Sequence, residues 1–180
     1  MEPRFFVHQS RIEGLGAFAR EDIRQGEIIC QMKGEHISYR ELKRRYVSGK
    51  ERICDPLQVS EKSYLDLAEP YIYLNHSCSP NAGLRGVGLV VAIQNIAKGH
   101  EITYDYSTTE WTYSRFGRNT HWEMNCTCNT LLCRKKIRQF PLLSGIIQQR
   151  CYNAGVLQDF IVRKLWWARS PIVQPSFKKE

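Results

Sequence analysis

The sequence has no apolar run approaching the roughly 20 residues needed to span a bilayer, and Met1–Ser10 lacks the apolar block of a secretory signal. A soluble chain without membrane contacts is expected, intracellular where it is made: nuclear if the source is eukaryotic, cytoplasmic if prokaryotic. It also lacks internal repeats and low-complexity segments. With 180 residues it is long enough for one ordinary domain plus appendages and too short for two large ones. Nor are the cysteines even in number. The seven, with Cys126, Cys128 and Cys133 clustered, read as metal binding rather than as a disulfide framework; Cys30, Cys54 and Cys151 read as small buried hydrophobes. Finally, most of the chain lacks net charge. Residues 1–133 hold 16 basic and 16 acidic side chains, whereas residues 134–180 hold 10 and 2, which accounts for the whole of the +8. Such a tail either attracts nucleic acid or acidic protein surfaces, or is a solvated helical face.

What is present is a series of short strand patterns, which predicts a mainly β fold. Arg4–Ser10, a segment through Phe18, Glu27–Met32, Pro56–Val59, Ser63–Leu67, Leu89–Ile93 and Glu101–Tyr106 read as strands, and Tyr71–Leu74 as a short buried one. One early helix is signalled by the capping box Ser38…Glu41, with Leu42 and Tyr46 on a shared face and Gly49 to end it. Ser107–Asn125 is polar and aromatic with few aliphatics, which suggests a loop or lid. Two helices follow, one opening at Pro141 and stopping at Asn153–Gly155, the next from Val156 to about Ala168, before a frayed end at Pro171 and Pro175.

Four motifs carry chemistry. The stretch Asn75-His76-Ser77-Cys78-Ser79-Pro80-Asn81 gathers amide, imidazole, hydroxyl and thiol in one turn-forming segment; a capped turn with a buried thiol would look the same. Gly14-Leu15-Gly16 lets backbone approach a ligand closely, as would any hairpin turn, and without a following helix it is no dinucleotide fingerprint. Tyr104 and Tyr106 flank Asp105 and, on a strand, would point to one face about 7 Å apart. Cys126-x-Cys128-x4-Cys133 is one thiolate short of a tetrahedral zinc site, with Cys78 or His121 to complete it.

In this order, Gly14–Ala19, the Asn75–Cys78 stretch, Glu101–Tyr106 and Cys126…Cys133-Arg134 resemble the SET-domain protein-lysine methyltransferases that carry a cysteine-containing post-SET segment, from about Phe5 to about Lys136. The resemblance implies a fold of several short β-sheets with a threaded C-terminal segment and C-terminal helices. Its divisions would be 1–110 (SET), 111–137 (lid and post-SET zinc segment) and 138–180 (basic helical extension). It implies S-adenosylmethionine as cofactor, held by Glu13, Gly14, Leu15, Gly16, Asn75, His76 and Tyr106. Tyr106 would be the catalytic tyrosine, with Tyr104 limiting the product mainly to monomethyllysine. One structural zinc would sit on Cys78, Cys126, Cys128 and Cys133, with Asn129 standing where the family has glycine. The expected partner is a protein presenting a lysine, with an acidic or nucleoprotein contact through the tail, to which Arg163, Lys164 and Arg169 would contribute. Two other readings fit fewer residues. A catalytically idle zinc module binding nucleic acid or a chromatin-type partner has no need of Asn75, His76, Tyr104 and Tyr106 together, and a cysteine hydrolase using Cys78 and His76 lacks an orienting third group.

Overall fold

The computed structural model describes residues 2–50, 55–111 and 122–169; the expectations for Cys54, His121 and the end beyond Arg169 lie outside them. Among the described residues, ten strands of two to five residues form four antiparallel sheets. β1 (Phe5–Gln9) pairs with β2 (Leu15–Ala19) across the Gly14 turn. β3 (Ile28–Gln31) and β7 (Ala82–Arg85) flank β8 (Leu89–Ala92), while β4 (Gly34–Ser38) and β5 (Leu57–Gln58) flank β6 (Ser63–Leu67). β9 (Glu123–Asn125) pairs with β10 (Lys136–Arg138) and brackets the three-cysteine motif.

The apolar run at β8 is buried on both faces, which is why it does not alternate. Val90 and Ala92 enter the main core with Phe5, Ala17, Ile29, Leu74, Leu84 and Ile102; Val91 faces a second cluster with Phe140, Leu143, Leu157, Phe160 and Ile161. The C-terminal helices thus pack on the face of that sheet opposite the main core. Helix α1 (Tyr39–Val47) starts as its sequence predicts: the Ser38 hydroxyl accepts from the Glu41 N–H at 3.2 Å, and Gly49 closes it at φ 70°. The other half of the capping box is not used, because the Glu41 carboxylate binds Arg44 and Arg45.

Several expected elements differ. Tyr71–Leu74 is not a strand; Tyr71–Tyr73 is a 3₁₀ turn closed by Tyr73 N–H to Pro70 O at 3.2 Å. A short apolar run cannot by periodicity be told from a buried turn. Glu101–Tyr106 joins no sheet ladder. It runs extended between β2 and the 75–82 segment, donating from Ile102 to Ala17 O and from Tyr104 to Asn75 O, while Ala82 donates to Thr103 O. At Tyr106 the chain turns into a 3₁₀ helix over Tyr106–Thr109. The predicted lid is not exposed at its start: Ser107, Thr108, Thr109 and Glu110 are all buried, and residues 112–121 lie outside the described chain. Pro141 opens only a 3₁₀ turn, Phe140–Leu142; Ser144 then caps α2 (Gly145–Asn153). Residues 156–158 precede rather than begin α3 (Asp159–Arg169), because Gln158 is drawn into a bridge with Gly86 and its amide donates to Gln58 O at 2.6 Å. No helix among the described residues is long and apolar enough to cross a membrane.

Candidate active site

A cavity of about 560 Å³ opens where the Gly14 turn, the 71–76 segment, the tyrosine pair and β9–β10 meet. Glu13, Gly14, Leu15, Asn75, His76, Tyr104 and Tyr106 all line it, together with Asp55, Tyr73, Met124, Thr127 and Ile137. Gly14 takes φ +48°, which costs a side chain strain. Gly16 does not line the cavity; it lies behind it, where a Cβ would collide with the Glu101 carboxylate. That carboxylate anchors the turn. It accepts from the Ser10 hydroxyl at 2.8 and 2.9 Å and from the Asn75 amide at 2.8 Å, and the same Asn75 amide donates to Leu15 O at 3.0 Å and Glu13 O at 3.3 Å. Asn75 therefore holds the Gly14 turn against the cavity. Ser10 and Glu101 were not singled out from sequence; the only cue was a carboxylate heading the Tyr104–Tyr106 motif.

His76 is buried, and its ring is engaged within the protein. Nδ1 accepts the Tyr106 N–H at 3.2 Å, and Nε2 lies 3.3 Å from Cys78 Sγ. Burial pulls its pKa down to about 4, with Arg134 acting in the same direction against the pull of Asp105, so the ring is neutral at ordinary pH. With Nδ1 accepting, the proton resides on Nε2 and points at the sulfur. In its parallel bridge to Tyr104, the backbone bonds are made by Asn75 O and Ser77 N–H, and the peptide N–H and C=O of His76 make no backbone hydrogen bond with described residues.

Because the strand pattern ends at Asp105, the two tyrosine rings are closer than strand spacing predicts, with centroids 4.8 Å apart. Tyr106 also meets His76 edge to face at 5.4 Å, and its hydroxyl donates to Leu74 O at 2.8 Å. Burial, with the nearby Asp105 charge, raises the Tyr104 pKa well above the usual phenol value, so its hydroxyl stays un-ionised. Asp105 itself is buried. Oδ1 accepts from Ser107 N–H at 3.1 Å, and the carboxylate receives both guanidinium nitrogens of Arg134 at 2.7 and 2.8 Å. Arg134 was named in sequence only as the residue closing the cysteine motif; nothing local marks it as Asp105's partner.

Cys78, Cys126, Cys128 and Cys133 converge so that their sulfurs all lie within 4.8 Å of one another, with Cys78 and Cys126 3.6 Å apart. Tetrahedral zinc with bonds of about 2.3 Å places thiolates about 3.8 Å apart, so the set fits such an ion. Peptide N–H groups of Arg134 and Lys135 point at Cys78 and Cys133 at 3.3 and 3.4 Å, the kind of donors that suit thiolates. Burial pushes the Cys78 thiol up; Cys128, also desolvated, is nevertheless lowered to about 6 by hydrogen bonds from Cys78 N–H and Thr130. Asn129 takes φ 51°, the left-handed turn expected where a glycine would otherwise stand.

Two basic residues of the tail differ in their surroundings. Arg163 is exposed, but Lys164 pairs with Glu61 at 3.0 Å and lies 5.6 Å over the Trp111 ring, an indole stacked in turn on Phe140. Lys164 therefore fastens α3 to the body.

This fold and the convergence of its motifs define a SET domain. Residues 14–107 match the SET domain family, more than half of the chain, and the protein belongs to it. It is 32% identical over 119 residues to the variant-silencing SET domain-containing protein of Plasmodium falciparum, covering 56% of this chain and 5% of that protein. Over 154 residues it is 27% identical to the histone-lysine N-methyltransferase ASHH3 of Arabidopsis thaliana, covering 78% of this chain and 40% of that protein. Among solved structures, a humanized mutant of the Chaetomium thermophilum Polycomb Repressive Complex 2, bound to the inhibitor GSK126, superposes with a TM-score of 0.53 at 24% identity, covering 61% of this chain and 15% of that chain. The chain thus spans less than half the length of each of these proteins.

Proposed function

We propose that this chain is a protein-lysine N-methyltransferase that moves the methyl group of S-adenosylmethionine to a lysine of a histone or another basic protein, mainly once per lysine. The observation that carries this reading is Tyr106, hydroxyl on Leu74 O, its ring tilted against Tyr104 at the wall of a cavity that Gly14, Asn75 and His76 also line. The cavity volume is within the range of about 300–1,000 Å³ usual for small-molecule sites. The His76 peptide, which makes no backbone hydrogen bond with described residues, can offer a donor and an acceptor, and the Gly14 turn leaves backbone open to a ligand. Bound there, S-adenosylmethionine would supply an electrophilic methyl on a sulfonium.

The chain's task is then alignment and dryness. The lysine must arrive as the neutral amine, and an apolar approach beside a cation lowers its pKa through desolvation and like charge. The neutral amine would take the methyl group with its lone pair, the electrons of the broken C–S bond remaining with sulfur, and the chain's part is to hold that amine in line. Tyr106 Oη and the Leu74 carbonyl can hold the methyl through weak C–H···O contacts. A base is not asked of either tyrosine. The four cysteines would hold one structural zinc, and a division into a SET unit (1–110), a zinc segment (111–137) and a basic extension (138–180) follows. In a eukaryotic cell a histone-directed enzyme would work in the nucleus.

The test is calorimetry with S-adenosylmethionine followed by radiolabelled methyl transfer into a lysate of the source cells. Stoichiometric binding and labelled lysine are expected. A protein that binds no cofactor would make an idle zinc module the better account.

A further inference from the structure

Two independent links run from one sulfur to the tyrosine that the proposed reaction uses. Arg134 donates its peptide N–H to Cys78 Sγ at 3.3 Å, and its guanidinium grips Asp105 with two bonds of 2.7 and 2.8 Å while also reaching Ser107 Oγ at 3.2 Å. His76 directs Nε2–H at Cys78 Sγ at 3.3 Å and accepts the Tyr106 N–H on Nδ1 at 3.2 Å. Asp105 sits between Tyr104 and Tyr106 in the chain and, with its side chain on Ser107 N–H, sets the sharp change from extended backbone to the 3₁₀ turn. The orientation of Tyr106 is decided at that turn.

We infer that Arg134 is a positioning residue: its two-pronged hold on Asp105, seconded by His76, makes the direction of the Tyr106 ring depend on the four-cysteine site. This rests on the methyltransferase reading above for its kinetic consequence, though not for its geometry. A guanidinium is suited to the task where an ammonium is not. Its planar fork fixes the carboxylate in two directions at once, whereas a lysine would pair as a point charge and let Asp105 rotate. The pair is also partly sequestered, with side-chain exposures of 18% for Arg134 and 7% for Asp105, so water does not readily replace it.

The test uses zinc-loaded full-length protein carrying ¹³C-labelled tyrosine, with the Tyr106 ring signal identified through Tyr106→Phe. Arg134→Lys keeps the charge, and the double variant Asp105→Asn with Arg134→Gln removes both charges while leaving groups that can still hydrogen-bond. Arg134→Lys is expected to retain one zinc per chain and cofactor affinity within about twofold, yet to shift the Tyr106 signal and lower kcat at least tenfold with peptide KM little changed. The double variant should fold, keep its zinc and recover part of that loss. A Tyr106 signal and kcat at wild-type values in zinc-bound Arg134→Lys would overturn the inference, and so would loss of zinc from both variants, which would make Arg134 a support of the metal site only. Should the unmodified protein transfer no methyl group, the methyltransferase reading fails, while the Tyr106 signal still decides for or against the coupling.

Discussion

The main body and the cysteine segment are held by different physics. The body's core gathers Ala17, Ala19, Ile29, Cys30, Leu84, Val90 and Ile102 at 0–1% exposure, and burial at about 25 cal/mol per Å² of apolar surface is sufficient to order it. Residues 122–138 have little of this. Trp122, Cys128 and Ile137 are their buried apolar side chains, while Leu131 and Leu132 stand 101% and 64% exposed. A three-residue strand pair with so few apolar contacts does not order itself in water. Four converging thiols explain how it can be ordered: here the metal would take the place of a core.

The sharpest way to break this contrast is to take the metal away. Cys128→Ser, or chelation, is expected to release one zinc and abolish hydrogen-exchange protection across 122–138 while the body stays folded, because structural zinc sites contribute about 10–16 kcal/mol of apparent binding energy. Simultaneous loss of protection in β3, β7 and β8 would show one cooperative unit instead. Leu84→Ala should do the reverse. It lies at 0% exposure in β7, and truncation is expected to cost about 2–5 kcal/mol in denaturant unfolding with zinc content unchanged; loss of zinc in parallel would erase the distinction.

Smaller effects sharpen it at the seam. Tyr104 and Tyr106 belong to the body but adjoin Arg134 through Asp105. Tyr106→Phe should depress every methyl transfer. Tyr104→Phe should leave the first transfer and add room for a second: overfilling a packed interior costs about 1–3 kcal/mol, so a tenfold to hundredfold rise in dimethyllysine is expected from mass spectrometry of a peptide at long times. Trimethyllysine as the main product of the unmodified enzyme would count against this role for Tyr104. The least effect belongs to Lys164, which is 26% exposed against a Glu61 that is 64% exposed. Lys164→Ala should lower stability by about 1 kcal/mol or less, and the loss should shrink as salt is added. A loss that did not change with salt would point to the Trp111 contact instead.

Much of the site was legible because its signals are local. Ser38 as a cap, Gly14 at positive φ and Asn129 in a left-handed turn each answer to the chemistry of one residue. The short strands β4 and β9 were not, for a plain reason: β4 buries only Ile37 and β9 buries none of its residues, so neither alternates. The 101–106 segment was misread as a strand because its pattern has the right period, while its bonds to β2 and the 75–82 segment are isolated bridges that never extend into a ladder.

The residues by themselves determined that this chain would be β-rich, that clustered thiols were available for a metal, and that the excess positive charge followed Cys133; the grouping of Gly14, Asn75, His76 and the two tyrosines rested on the resemblance of their motifs to the SET family. Tertiary structure alone decided that His76 would spend its ring on Tyr106 and Cys78, that Lys164 would face Trp111, and that Arg134 would close on Asp105, 29 positions away. A side chain's donors and acceptors are written in its identity, but which of them is satisfied by which depends on segments far apart in sequence being brought into contact, and packing of the whole chain settles that.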